Sequence, residues 1–178
     1  NNPMQSNRSR NWFELDWLLY NFKFKHRFNE KTNLSFSLFG LDAERNTVGF
    51  RTNRVDQVDP LTERDLIRGN FNNHGIELKI LRKYKINEKK GTFVLGGKYY
   101  RSKSLSKQGP GSEGSDADFN IYLDEFPNYS NQSNYIYPNK NFAFFGENVF
   151  YINERLSFTP GFRLENIVTK SNGNYKKI

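Results

Sequence analysis

The sequence predicts an all-β protein built from antiparallel strands. Three observations lead there. Apolar and polar residues alternate over long stretches, which marks strands with one greasy and one wet face. The connections between these stretches alternate between short and long. Aromatic residues make up 16% of the 178 residues, with 17 Phe and 10 Tyr, although hydrophobic residues reach only 35%. That mixture suits pleated strands showing rings on one face and polar groups on the other.

The first strand is expected over residues 12–26. Leu18, Tyr20, Phe22 and Phe24 share one face; Leu19, Asn21, Lys23 and Lys25 share the other. Residues 28–31 turn the chain. The second strand starts at Asn33, with Leu34, Phe36 and Leu38 on the apolar face and Ser35 and Ser37 opposite. Apolar parity slips near Gly40, beyond which Leu41 and Ala43 are the apolar positions. A glycine bulge there would produce such a slip. The strand is expected to continue towards Arg51.

Residues 52–70 show no period and mix Arg54, Asp56, Asp59, Glu63, Arg64, Asp65 and Arg68 around Pro60 and Gly69. They read as a long loop, with a helical turn near 61–67. The third strand is expected over 73–86, with Ile76, Leu78, Ile80, Tyr84 and Ile86 opposite Glu77, Lys79, Lys83 and Lys85. Residues 87–91 turn into a fourth strand, where Phe93, Leu95 and Tyr99 oppose Thr92, Gly96, Lys98 and Tyr100. Residues 101–140 form a second long loop, and its stretch 106–116 reads as a flexible linker rich in Gly, Ser and Pro.

Residues 141–168 carry the clearest pattern. Phe142, Phe144, Phe150 and Ile152 share one parity, and Ala143, Glu147, Val149 and Tyr151 the other. After the tight reversal Asn153-Glu154-Arg155, Leu156, Phe158, Phe162 and Leu164 alternate with Ser157, Thr159, Gly161, Arg163 and Glu165. Pro160 breaks the pattern chemically, because proline cannot donate to the ladder. A continuous wall then needs a bulge or a missing partner. Glu147 and Arg163 have matching parity on neighbouring strands, so a cross-hairpin ion pair is expected.

The short connections at 27–32, 87–91 and 153–155 fall on one side of the sheet, and the long ones at 52–70 and 101–140 on the other. Outer-membrane barrels show this asymmetry, with short periplasmic turns and long extracellular loops. A soluble β-sandwich has no reason to sort its connections. The expected architecture is therefore about six antiparallel strands forming part of a transmembrane β-barrel wall. No apolar run approaches the ~18 residues of a membrane helix, but barrel strands need none.

The chain offers no catalytic constellation and reads as a non-enzyme. His26 and His74 lie far apart, and cysteine is absent. Asp116, Asp118 and Asn120 resemble a calcium loop only faintly, lacking its glycine and distal glutamate. Residues 109–114 lack the Lys-Ser/Thr of a phosphate loop. The net charge is +8, yet Lys and Arg are interleaved with Asp and Glu, and no nucleic-acid signature appears. Asn1 opens the chain, and Tyr175-Lys176-Lys177-Ile178 follows a turn-like Asn172-Gly173-Asn174. Both ends read as cut from something longer.

The aromatic strand ending in Phe-Gly-Glu-Asn, followed by Leu-Ser-Phe-Thr-Pro-Gly-Phe-Arg-Leu-Glu, resembles a barrel hairpin of TonB-dependent outer-membrane receptors. The details Glu147-Asn148 and Thr159-Pro160-Gly161-x-Arg163-x-Glu165 look most like the ferric-citrate receptor branch. The specific likeness covers about thirty residues. It implies that residues 1–178 are part of a barrel of about 22 strands whose plug domain lies outside this chain. It also implies import of an anionic ferric chelate across the bacterial outer membrane, driven by the TonB complex through segments absent here. The chelate is cargo, and no cofactor is implied. In such receptors the chelate binds at the extracellular mouth, where Arg45, Arg51, Arg54, Arg68, Lys98 and Arg101 are the expected ligand-binding residues. Guanidinium suits that task because it grips carboxylates bidentately and stays charged. A small outer-membrane adhesin and a soluble glycan-binding sandwich are the alternatives.

Overall fold

A computed structural model describes residues 8–52, 54 and 56–176. The strands are β1 (Trp12–Asn29), β2 (Thr32–Gly49), β3 (Asp65–Ile86), β4 (Lys89–Pro110), β5 (Gln132–Tyr151), β6 (Ser157–Phe158), β7 (Gly161–Thr169) and β8 (Asn172–Lys176). All pairings are antiparallel, in the order β1-β2-β3-β4-β5, and β6, β7 and β8 all pair with β5. The fold is thus an all-β meander of long strands, and no helix occurs among the described residues. The sheet is open: β1 forms one edge and β6–β8 the other.

The last three elements are one strand in three pieces. Phe150 faces Phe158, Glu147 faces Gly161, Asn139 faces Thr169 and Ile136 faces Asn172, so the register never shifts. Two prolines make the gaps. The Asn148 amide donates to the Pro160 carbonyl at 2.9 Å, but Pro160 has no N–H to return. The Lys170 amide likewise donates to the Pro138 carbonyl at 3.0 Å, and Pro138 cannot reciprocate. Pro160 therefore takes the missing-partner route, without a bulge.

Directly opposed residues share a face, which divides the sheet into a front and a back. Phe24, Phe36, Leu78, Gly97, Phe144 and Leu164 form one front row. Lys25, Ser35, Lys79, Gly96, Phe145 and Arg163 form a back row at nearly the same height. Near the short turns, the front is apolar and the back polar. Towards the long loops the polarity reverses. There the front carries Asp16, Asp42, Glu44, Asn70, Asn72 and Lys103, while the back carries Trp17, Phe39, Leu41, Phe71 and Tyr100.

That reversal corrects the expected bulge at Gly40. Tyr20 faces Gly40 and Gly40 faces His74 in unbroken registers. The alternation changes face while the backbone stays regular. Gly40 is needed for space: a Cβ there would sit 2.2 Å from the Tyr20 ring. Gly75 plays the same part on the back, under Phe39, where a Cβ would fall 2.6 Å from the ring and 2.7 Å from the Tyr99 carbonyl. Such ring-over-glycine pairs cover backbone that a glycine leaves bare.

The same reversal hid half of each long strand. β3 begins at Asp65 and not at Asn73, and β4 runs on to Pro110. The loops shrink accordingly to 50–64 and 111–131, and the helical turn expected near 61–67 is absent. Leu61 takes a left-handed φ of 60°, and extended β3 follows within a few residues. The turn expected at 87–91 is only Asn87-Glu88, with φ of 45° and 65°, as a two-residue hairpin turn requires. Lys85 pairs with Glu88 across its base.

Two buried arginines fasten the loop end. The Arg10 guanidinium donates to Asp59 Oδ2 at 2.9 Å, the Thr62 carbonyl at 3.1 Å and the Glu113 carbonyl at 2.8 Å. Arg64 is fully buried and donates to the Ser112 carbonyl at 2.9 Å, Ser112 Oγ at 2.6 Å, the Arg10 carbonyl at 3.1 Å and the Asp116 carbonyl at 2.7 Å. Residues 106–116 are therefore no free linker: their first part lies in β4 and the rest is bound to Arg10 and Arg64. The Trp12 indole adds a bond to the Ser115 carbonyl at 2.7 Å.

The sheet has almost no interior. Among the described residues the buried apolar side chains are Val48, Leu66 and Ala143. The chain exposes 12957 Å², whereas a compact protein of 21.0 kDa exposes roughly 9,000 Å². Large apolar side chains stand bare on both faces, among them Trp17, Leu19, Phe22, Leu78, Phe142, Phe162 and Leu164.

Candidate ligand-facing surface

The back face near the loops is the most feature-rich surface of the molecule. One row runs Trp17, Ala43, Phe71, Ser104, Tyr137, and another runs Phe39, Gly75, Tyr100, Asn141. Because Gly75 has no side chain, Phe39 and Tyr100 stack across it, with ring centroids 6.4 Å apart. Tyr135 and Tyr137 stack at 5.9 Å. The Asn73 and Asn141 side-chain oxygens are buried here without a protein hydrogen-bond partner. Buried polar atoms normally find partners, so these two unsatisfied acceptors mark this part of the face as unusual.

The six expected ligand residues divide among three environments. Arg45 and Lys98 lie on this back face. Arg45 sits 5.7 Å from the Phe71 ring centre, and Lys98 Nζ sits 5.0 Å from that of Phe39. Neither has an ion-pair partner among the described residues. Glu77 faces Lys98 but is engaged by Lys79 at 2.6 Å. Rings hold these cations in place without neutralising them.

Arg51, Arg54 and Arg68 are instead paired internally: Arg51 with Asp65 at 2.8 Å, Arg54 with Asp56 at 3.4 Å and Arg68 with Glu44 at 3.0 Å. Asp65 also accepts from the Tyr129 hydroxyl at 2.7 Å and from Gln108 at 2.9 Å. Burial, and then that hydrogen bond to Asp65, push the Tyr129 hydroxyl well above its ordinary pKa. Arg68 was expected in a loop above Arg45; it lies within β3 on the front face, opposite Asn46. Arg101 also lies on the front, opposite His74 and Lys140. These two therefore point away from the face that holds Arg45 and Lys98.

The expected Glu147–Arg163 pair does not form. Arg163 donates to Glu165 two residues along its own strand, with Nε at 2.7 Å, and lies 5.3 Å from the Phe145 ring centre. Glu147 faces Gly161, one step off along the diagonal. His26 packs against Phe24 and Phe28. The described residues contain no cluster of three His, Asp or Glu side chains fit for a metal. Asp118 is occupied by the Tyr122 hydroxyl at 2.6 Å and by Asn120. Its carboxyl is held below the usual range mainly by the Tyr122 bond.

Phe39, Tyr100, Asn73 and Asn141 were not singled out from the sequence. The only available signal was the parity slip at Gly40, which marks where the rings move to the other face. Arg10 and Arg64 left no signal, because most of their partners are main-chain carbonyls, up to 103 residues away, which no residue type announces. No protein-family model matches the chain, and no curated protein is similar to it.

Proposed function

We propose that this chain is a section of the barrel wall of an outer-membrane, TonB-dependent receptor that imports an anionic ferric chelate, ferric citrate first among them. The observation that carries the reading is a single-layer sheet with an apolar front band and a polar back at the same height. On β3 the band runs from Ile76 to Ile86, matching the ~9–11 residues of a membrane-crossing strand. In water such a front has nothing to bury against. In a bilayer, lipid covers it and the polar back faces a lumen. The open edges at β1 and β7 fit further wall strands on either side. A sandwich reading is disfavoured, because no second sheet covers either face among the described residues.

Within this reading Arg45 and Lys98, with Phe39, Phe71 and Tyr100, form the part of the mouth that meets the chelate. The paired Arg51, Arg54 and Arg68 brace the loop end. The experiment is fractionation of cells expressing the full-length protein, followed by binding of labelled ferric citrate. Recovery in the outer-membrane fraction with saturable chelate binding supports the reading. Recovery in the aqueous phase without detergent refutes the barrel. Membrane recovery without chelate binding refutes the cargo alone and leaves the adhesin reading.

A further inference from the structure

The front face above the apolar band holds a cluster of cations that the mouth does not use. His74, Arg101 and Lys140 lie side by side across β3, β4 and β5. One row higher are Lys103, facing Pro138, and Lys170, whose amide bonds the Pro138 carbonyl at 3.0 Å. Arg101, Lys103, Lys140 and Lys170 are exposed. None of them has an ion-pair partner among the described residues. Like charges placed directly opposite each other, as Arg101 and Lys140 are, destabilise a sheet. No acidic side chain shares the row of Arg101 and Lys140, whereas Lys103 lines one cavity with Asp16, Asp42 and Glu44. Asp16, Asp42 and Glu44 sit over β1 and β2, and Glu44 is taken by Arg68. At the same height the back face carries Asn73, Ser102 and Asn139, with no such cluster.

The height of the cluster suggests what neutralises it. The row just below is Ile76, Tyr99 and Phe142, aromatic as expected where a membrane surface meets water. Arg101 lies two residues beyond Tyr99, about 7 Å along the strand. That is headgroup depth if the band below is in hydrocarbon. Neighbouring cross-strand side chains stand about 5 Å apart, close enough for one phosphate to meet two cations.

We infer that this patch of Arg101, Lys103, Lys140 and Lys170 docks the phosphorylated headgroups of membrane lipid on the long-loop side. The inference rests on the barrel reading above. Arg101 then serves lipid and not the chelate.

The test uses the full-length protein purified in detergent and titrated with phosphatidylglycerol or phosphatidylcholine, read by native mass spectrometry. Preferential retention of phosphatidylglycerol is expected. Each basic side chain at an anionic surface contributes roughly fivefold in binding, so R101Q/K140Q should lower it roughly 25-fold. The back-face variant K23Q/K25Q removes the same charge and should keep the preference. Equal retention of the two lipids overturns the inference, as does an unchanged preference in R101Q/K140Q. Competition by millimolar inorganic phosphate also overturns it, by showing a free-phosphate site. A wild-type protein that stays out of the membrane fraction overturns the barrel reading and the inference with it.

Discussion

Arg64 should hold the loop end shut, and replacing it with methionine tests this with little change in volume. The side chain is fully buried and makes four hydrogen bonds, three of them to main-chain carbonyls of Arg10, Ser112 and Asp116. No carboxylate pairs with it among the described residues, and burial lowers its pKa below the ordinary guanidinium value. Methionine relieves the cost of burying a charge but takes the side-chain donor from the Arg10 and Asp116 carbonyls, while the Ser112 carbonyl keeps the Arg64 amide at 3.4 Å. Each such orphan costs about 1–3 kcal/mol, partly offset by that relief. A net loss of about 3 kcal/mol is expected, confined to the loops because Arg64 lies outside β3. By the usual conversion this is roughly a 100-fold rise in local opening. Hydrogen exchange over 111–118 should therefore quicken by about that factor, while exchange in β3 and β4 below Gly69 stays unchanged. Protease should cut at 112–116 in the variant and spare this segment in the native chain. Arg64→Lys keeps the charge and loses the fork, so it should fall between. If Arg64→Met exchanges like the native chain, the carbonyls are served otherwise and the fastening assigned to Arg64 is wrong.

Arg in place of Phe144 or Phe162 should cost about 2–4 kcal/mol in membrane assembly if the front meets lipid near the midplane, and Phe145→Arg on the back should cost less; folding into vesicles measures all three. The Asp59 carboxyl is held below its ordinary value of 3.8, chiefly by the Arg10 hydrogen bond. A lowered carboxyl pKa adds stability that is full above the ordinary value and lost as pH falls through the lowered one. Loop-end protection from exchange should thus hold at neutral pH and fade below about 4, and Asp59→Asn should remove that dependence. Gly75→Ala should destabilise the sheet by about 1–3 kcal/mol, read in urea, because its methyl meets both the Phe39 ring and the Tyr99 carbonyl. Arg45→Gln and Lys98→Gln should each weaken chelate binding roughly tenfold, since a charged hydrogen bond is worth ~1.5–3 kcal/mol. Arg54→Gln should leave it unchanged, and equal effects at all three positions would sink the division drawn above.

The strands near the short turns were legible because alternation there coincides with one apolar face. Phe36, Leu78, Leu95, Phe144 and Phe162 were expected to share a face, and the registers put all five on the front. The upper halves of β3 and β4 were not legible. Arg68, Asn70 and Asn72 on the front of β3 read as loop because polar residues were expected only on the back. The alternation of Ile67 and Phe71 with them is real, but belongs to the opposite face. Arg163 misled for a different reason: parity names a face and a strand, but it does not choose between a partner across the hairpin and one two residues along. Glu165 won because it lies on the same side of the same strand, within reach of an Arg163 that rests over the Phe145 ring.

The position of the reversal carries its own physical logic. Gly40 and Gly75 lie in adjacent rows, one under a front ring and one under a back ring. Below them, the front needs continuous apolar cover and the back needs small or charged groups. Above them, the demands are exchanged. At the changeover a bulky side chain on either face would have to satisfy two surroundings at once. Glycine avoids the conflict, and Tyr20 and Phe39 lean across to seal the backbone it leaves bare. A bulge would also have changed the face, but at the cost of a ladder hydrogen bond and of the long unbroken registers of β1 to β4. Keeping the register lets one unbroken strand carry opposite polarities on its two halves, with apolar rows on the front below the glycines and rings and cations on the back above them.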